Sequence, residues 1–145
     1  MSSSSPHRVL IVDDNRHARA FLSQILQSAG LETEQAASGP EALRLLQTRT
    51  VDVVFTDMVM APMDGIALTR AIRASVDRAV SGLPVIMATA QASQSVVQGG
   101  VTAGVNAFIT KPFSPAAVLT RLEAALAPPA RPAPAAAPDE DHAYI

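Results

Sequence analysis

What most constrains this chain is a repeated pairing: a short apolar run that stops at a polar residue, then a stretch with apolar residues at helical spacing. Val9-Leu10-Ile11-Val12 ends abruptly in Asp13-Asp14-Asn15 and reads as a strand buried on both faces. Ala18, Phe21, Leu22, Ile25, Leu26 and Ala29 then fall at i, i+3, i+4, i+7, i+8 and i+11, one inward stripe of a helix that Gly30 can close in the left-handed conformation. The unit recurs. Leu31 to Ala36 reads as a weaker strand, and Ser38-Gly39-Pro40-Glu41 as a capping box before a helix from about Pro40 to Gln47. Val51 to Thr56 runs up to Asp57, and a third helix begins near Asp64, burying Leu68, Ala71 and Ile72. Pro84 to Thr89 is a fourth strand. Its helix, from about Ser93 to Thr102, holds Gly99 and Gly100, each costing up to about 1 kcal/mol against alanine, so it should be the loosest. Asn106 to Thr110 makes the fifth strand. Ser114-Pro115 caps a fifth helix with Val118, Leu119, Leu122, Ala125 and Leu126 inward.

Five strands alternating with five helices require right-handed crossovers, which place helices on both faces of a five-stranded parallel sheet. The class is doubly wound α/β. A chain of 145 residues with 48% apolar content supports one such domain, here 8–127. Residues 1–7 are expected to be a flexible N-terminus. Residues 128–145, rich in Ala and Pro and ending near Asp139-Glu140-Asp141, are expected to be a disordered tail. A net charge of −2 with no run of Lys and Arg argues against nucleic acid as a direct partner. No apolar stretch approaches the roughly 18 residues of a membrane span, and the polar start lacks a signal-peptide core, so a cytoplasmic protein without membrane insertion is expected. The absence of Cys leaves only oxygen and nitrogen groups for chemistry.

In an open parallel sheet the ligand site lies beyond the carboxyl ends of the strands, at the switch point of strand order. That rim collects Asp13 and Asp14 after the first strand, Asp57 after the third, Thr89 at the end of the fourth, and Lys111 with Pro112 after the fifth. Adjacent carboxylates either raise one another's pKa or hold a cation. Mg²⁺ suits them, because it takes oxygen ligands and keeps several waters. A carboxylate nucleophile set between Mg²⁺ and Lys111 is sufficient for phosphoryl transfer, which needs positioning and charge neutralisation above all.

Val12-Asp13-Asp14, Asp57 with Met60, Met63-Asp64-Gly65, Thr89, and Ala103-Gly104 leading to Phe108-Ile109-Thr110-Lys111-Pro112-Phe113 together resemble the response-regulator receiver signature over about Arg8 to Ala127. The resemblance implies a flavodoxin-like fold in which Asp57 is the phosphoacceptor. It implies that Asp14, Asp57 and the backbone carbonyl of Val59 ligate Mg²⁺, with Asp13 acting largely through water. Lys111 and Thr89 would contact the phosphoryl group, Phe108 would turn inward when Thr89 moves, and the Lys111–Pro112 bond is a candidate cis peptide. Val59 and Gln91 would flank the hydrolytic water. Val59 has no group to orient it, so slow to intermediate dephosphorylation is expected, while Ala61-Pro62 departs from the family's usual loop. Partners would be a histidine kinase or histidine phosphotransfer protein, and a protein target engaged through the fourth helix, fifth strand and fifth helix. No output domain is seen after the fold, so output is expected by partner binding. Such a protein is a switch that catalyses its own phosphorylation and dephosphorylation, not a turnover enzyme. An aspartate-nucleophile, Mg²⁺-dependent phosphohydrolase is the enzymatic alternative, but its two acids would be separated by one residue instead of adjacent. A pseudo-receiver that is never phosphorylated is the third reading, and the intact acids and Lys111 oppose it.

Overall fold

The computed structural model describes residues 6–127, so the expected tail 128–145 and most of the expected flexible N-terminus lie outside the described residues. The elements run β1 (Arg8–Val12), α1 (Arg16–Ser28), β2 (Glu32–Ala36), α2 (Gly39–Thr48), β3 (Val53–Asp57), α3 (Gly65–Arg73), α4 (Arg78–Ser81), β4 (Val85–Thr89), α5 (Gln94–Ala103), β5 (Ala107–Thr110) and α6 (Pro115–Leu126). The strands form one sheet in the order β2-β1-β3-β4-β5, and every pair is parallel. The order reverses between β1 and β3, which places the switch point at the ends of those two strands.

Alternation along the strands divides the core in two. Leu10, Val12, Val54, Val85, Met87 and Phe108 pack toward α2, α3 and α5, with Leu46, Leu68 and Ile72 among them. Val9, Ile11, Val53, Phe55, Ile86 and Ile109 pack toward α1 and α6, meeting Leu22, Leu26, Val118 and Leu122. Residues on both faces of β1 and β3 are fully buried, which explains why their sequences read as continuous apolar runs.

Each helix opens on a Ser, Asp or Asn whose side chain accepts a hydrogen bond from a first-turn N–H: Asn15, Ser38, Asp64, Asp77, Ser93 and Ser114. Glu41 reaches back to the N–H of Ala37 at 2.7 Å and completes the box around Ser38. Gly30 closes α1 at φ 89°.

Three expectations shift. A sixth helix, the single turn α4, stands where the sequence reads as a loop. Asp77 accepts from Ala79 N–H there, and four residues are too few to show a periodic stripe. The expected fourth and fifth helices are therefore α5 and α6. In α1 only Leu22 and Leu26 of the stripe are buried, together with Ser23, whose hydroxyl bonds Thr33 on β2 at 2.7 Å. Phe21 is 58% exposed. The helix is rotated so that Ser23 can meet Thr33, and this turns the Phe21 edge toward α6. In α3 the buried residue beside Leu68 and Ile72 is Thr69, its hydroxyl donating to Gly65 O at 2.8 Å, while Ala71 is half-buried.

Arg73, at the end of α3, ties the opposite rim. Its guanidinium donates to the carbonyls of Ser81, Leu83 and Gly104 and to Asn106 Oδ1, at 2.7–3.2 Å. Partial burial pushes its pKa down from the ordinary value, yet these four acceptors keep the cation in place. Arg73→Met keeps the stem and leaves the carbonyls short of a partner, so it should lower stability by roughly 2–4 kcal/mol. Urea denaturation measures this; an unchanged midpoint would mean that water replaces the guanidinium at little cost.

Candidate functional site

The acidic rim is built by chain direction. β1 and β3 are adjacent and parallel, with Val12 opposite Thr56, so the residues that follow them emerge side by side. One carboxylate oxygen each of Asp13, Asp14 and Asp57 lie within 4.8 Å of one another. Asp57 is buried, Asp13 half-buried and Asp14 exposed. From the other side, β5 delivers Lys111, whose Nζ lies 2.8 Å from Asp57 Oδ1. The N–H of Met58 donates to the same oxygen at 3.0 Å. Oδ2 of Asp57 is thereby left for another partner.

The aspartates are not helix caps. Asn15 takes that role for α1, accepting from Ala18 N–H at 3.0 Å, and Asp13 Oδ1 accepts from Asn15 N–H at 2.9 Å. Asp13 has its pKa raised, first by burial, then by the negative charges of Asp57 and Asp14, against the lowering effects of the Asn15 N–H and Lys111. Charge on Asp13 is thus disfavoured unless a cation offsets it.

The loop after β3 folds back on the site. Asp64 caps α3 through Ala67 N–H at 2.8 Å, and Gly65 N–H donates to Met58 O at 2.8 Å. A Cβ on Gly65 would fall 2.5 Å from Asp57 O, so only glycine lets α3 begin against the acceptor's own backbone. Met60 is buried under the loop. Both Ala61–Pro62 and Lys111–Pro112 are cis. Val59 is 72% exposed and Gln91 is exposed, both at the open side. Asp52, at the far rim, accepts from Arg8 N–H at 2.7 Å and stands apart from the site.

Thr89 and Phe108 both lie beneath the rim. Thr89 is buried, and its hydroxyl donates to Gln91 O at 3.0 Å, facing its own loop. Phe108 is 4% exposed and faces the core. Sequence reasoning missed a groove of about 570 Å³ that opens beside Asp57 and Lys111, walled by Phe21, Leu22, Phe55 and Phe113. Phe55 and Phe113 meet edge-on, their centroids 5.9 Å apart. The spacing of Phe21 at the outer edge of its stripe was the available signal.

The donor set suits a small hard cation. Three carboxylates offer only oxygen, and opposite ligands of an octahedral Mg²⁺ lie about 4.2 Å apart, so a cluster within 4.8 Å needs little adjustment.

Residues 9–123 match the family described as the response regulator receiver domain. The response regulator MprA of Mycobacterium sp. (strain KMS) is 36% identical over 121 residues, 83% of this chain and 51% of that protein. The chain thus spans about half the length of such curated relatives. Among solved structures, chemotaxis protein CheY4 of Vibrio cholerae is 35% identical with a TM-score of 0.79, covering 83% of this chain and 99% of that one. The receiver domain of the sensor histidine kinase PA1611 from Pseudomonas aeruginosa, 28% identical with a TM-score of 0.76 and covering 83% and 98% of the two chains, was solved with a magnesium ion coordinated in its active site cleft. The parallel sheet, the acids at its switch point and the match over nearly the whole described fold agree: this chain belongs to the response regulator receiver domain family of two-component signalling.

Proposed function

We propose that Asp57 accepts a phosphoryl group from a histidine kinase or histidine phosphotransfer protein, and that the phosphorylated domain signals by binding a protein target. The observation that carries this reading is the buried Asp57 carboxylate, held at one oxygen by Lys111 and Met58 N–H and flanked by Asp13 and Asp14. Asp57 Oδ2 attacks phosphorus as the donor's phosphorus–nitrogen bond breaks, and the electron pair leaves on the histidine nitrogen. Lys111 Nζ, partly exposed, can follow charge from the carboxylate to the phosphoryl oxygens. Asp13, Asp14, Asp57 and the Val59 carbonyl would hold Mg²⁺, as the magnesium-bound PA1611 receiver makes reasonable. When bound, the ion neutralises negative charge that otherwise repels the incoming group. Thr89 is within the same rim, and its hydroxyl can exchange Gln91 O for a phosphoryl oxygen. That exchange alters the segment leading into α5 and so the α5–β5–α6 surface, which we assign to the downstream target.

Labelling with acetyl phosphate and Mg²⁺ should succeed in the wild type and vanish in Asp57→Asn; equal incorporation in both sinks the assignment. Asp14→Ala or chelation should reduce the labelling rate at least tenfold. Mg²⁺ alone should raise the thermal midpoint of the wild type, because an ion that binds only the folded state stabilises it, and should do so far less in Asp14→Ala.

A protein donor that reaches Asp57 from the open side must lie against the aromatic groove. Phe21→Ser should therefore slow phosphotransfer from the cognate protein donor several-fold while leaving labelling by acetyl phosphate unchanged. Equal slowing with both donors would assign Phe21 to the site's architecture instead.

Hydrolysis of the acyl phosphate is expected to be slow to intermediate, since Val59 cannot orient a water and Gln91 can bind one without acting as a strong base. Val59→Asn supplies an amide and should shorten the half-life of labelled protein. No change would free Val59 from any part in setting that lifetime.

A further inference from the structure

Helix α5 runs unbroken from Gln94 to Ala103 through two adjacent glycines, each less helix-favouring than alanine by about 1 kcal/mol. Packing explains the second. A Cβ on Gly99 would sit 3.4 Å from Ile66 Cδ1 on α3, an ordinary contact. A Cβ on Gly100 would fall 2.5 Å from Phe108 Cζ, 2.9 Å from Phe108 Cε2 and 3.4 Å from Val105 Cγ2. The first two distances are impossible for a real side chain, and the obstacle is the rim of a rigid aromatic ring. We propose that Gly100 is a positioning residue: the gap left by its missing side chain is the seat that keeps Phe108 inward.

Two observations support the seat independently of the clash. Phe108 lies in the core cluster with Met87, Leu68, Met60 and Val105, so the inward ring is fully packed. Thr89 meanwhile keeps its hydroxyl on Gln91, so the inward ring is compatible with that Thr89 arrangement. An alanine at 100 cannot be relieved by sliding α5 away without opening its packing on α3. The ring must instead leave the core by rotation about its side-chain torsions, toward the surface between α5 and β5. The relevance of this seat to switching rests on the phosphoacceptor reading; its existence does not.

The chain has four phenylalanines, so fluorophenylalanine incorporation gives a fluorine spectrum of four signals, with Phe108 assigned by Phe108→Leu. Phe55, 3% exposed, and Phe21, 58% exposed, serve as buried and open references for broadening by a soluble paramagnetic agent. In the wild type, and equally in Asp57→Asn, Phe108 should broaden as little as Phe55. In Gly100→Ala its broadening should rise several-fold toward that of Phe21. A Phe108 signal as open as Phe21 in the wild type, or as closed as Phe55 in Gly100→Ala, overturns the proposal. Because Asp57→Asn enters the same comparison, a failure of phosphorylation at Asp57 leaves the ring result intact and is told apart from a failure of the seat. Urea unfolding gives a second reading should Gly100→Ala fold poorly: the substitution should lower the midpoint beside Phe108 and raise it in the Phe108→Leu background, where alanine's helix preference prevails. The same shift in both backgrounds would overturn the seat.

Discussion

Everything in this domain is arranged around one electrostatic constraint: three carboxylates at one edge of a sheet, with a single ammonium in direct contact. At a few ångströms such charges interact by several kcal/mol when water is partly excluded, so the rim is a poor place for acids unless each has a specific partner. Asp57 meets that condition through Lys111 and the Met58 N–H, which is how a carboxylate can be buried at the end of a central strand. Asp13 has only the Asn15 N–H among near donors, and burial, followed by the nearby charge of Asp57, raises its pKa. The excess negative charge is a built-in affinity for cations, and the apolar sheet beneath prevents the acids from spreading apart to relieve it. Stability and function pull in opposite directions here, as they do wherever like charges are held together for chemistry.

The rim was legible in the sequence because parallel strands are read out end by end. Each of β1, β3, β4 and β5 is an apolar run whose last or next residue is polar, and chain direction alone sends those residues to one edge. Helix caps were legible for the same local reason, since Ser38, Asp64 and Ser114 act on N–H groups two or three residues away. What the pattern could not fix was rotation about a helix axis. The stripe of α1 predicts Phe21 inward, but Ser23 and Thr33 form a hydrogen bond between elements, and pairing of two small hydroxyl residues leaves no periodic trace. A rotation of one residue's worth, about 100°, is enough to carry Phe21 from core to groove. Glycine was ambiguous in the same way. Gly99 and Gly100 read as looseness from propensity alone, yet Phe108, close to Gly100 in space and eight residues on in sequence, gives Gly100 a packing role.

The two cores divide the labour of the domain. Residues alternate along β5, so Phe108 faces α5 while Ile109 faces α6, and adjacent positions on one strand report to different layers. The aromatic groove opens on the α1 and α6 layer, beside Asp57. The Phe108 seat and the α3–α5 packing belong to the other layer. On the proposed function, a partner delivering a phosphoryl group could cover the first layer without contacting α5, with the sheet, buried on both faces, between them.

An inward Phe108 changes what must move for a signal to leave the site. If the ring already occupies its seat, its rotation contributes nothing to the difference between the two states, and the free energy of phosphorylation has to act on another element. On the proposed function, the segment after β4 would be that element. The buried Thr89 hydroxyl donates to the Gln91 carbonyl and accepts from the Gln91 N–H, a local closure held by two hydrogen bonds at 3.0 and 3.2 Å, with Ala90 and Gln91 exposed. Recruiting the Thr89 hydroxyl to a phosphoryl oxygen breaks one of those bonds at a cost of about 1 kcal/mol, small against a charge-assisted replacement. The loop is then released at the very residues that lead into the Ser93 cap of α5. On the proposed function, a domain with a seated ring and a releasable loop would switch by changing how α5 begins, with the close contact of that helix at Gly100 serving as the fulcrum.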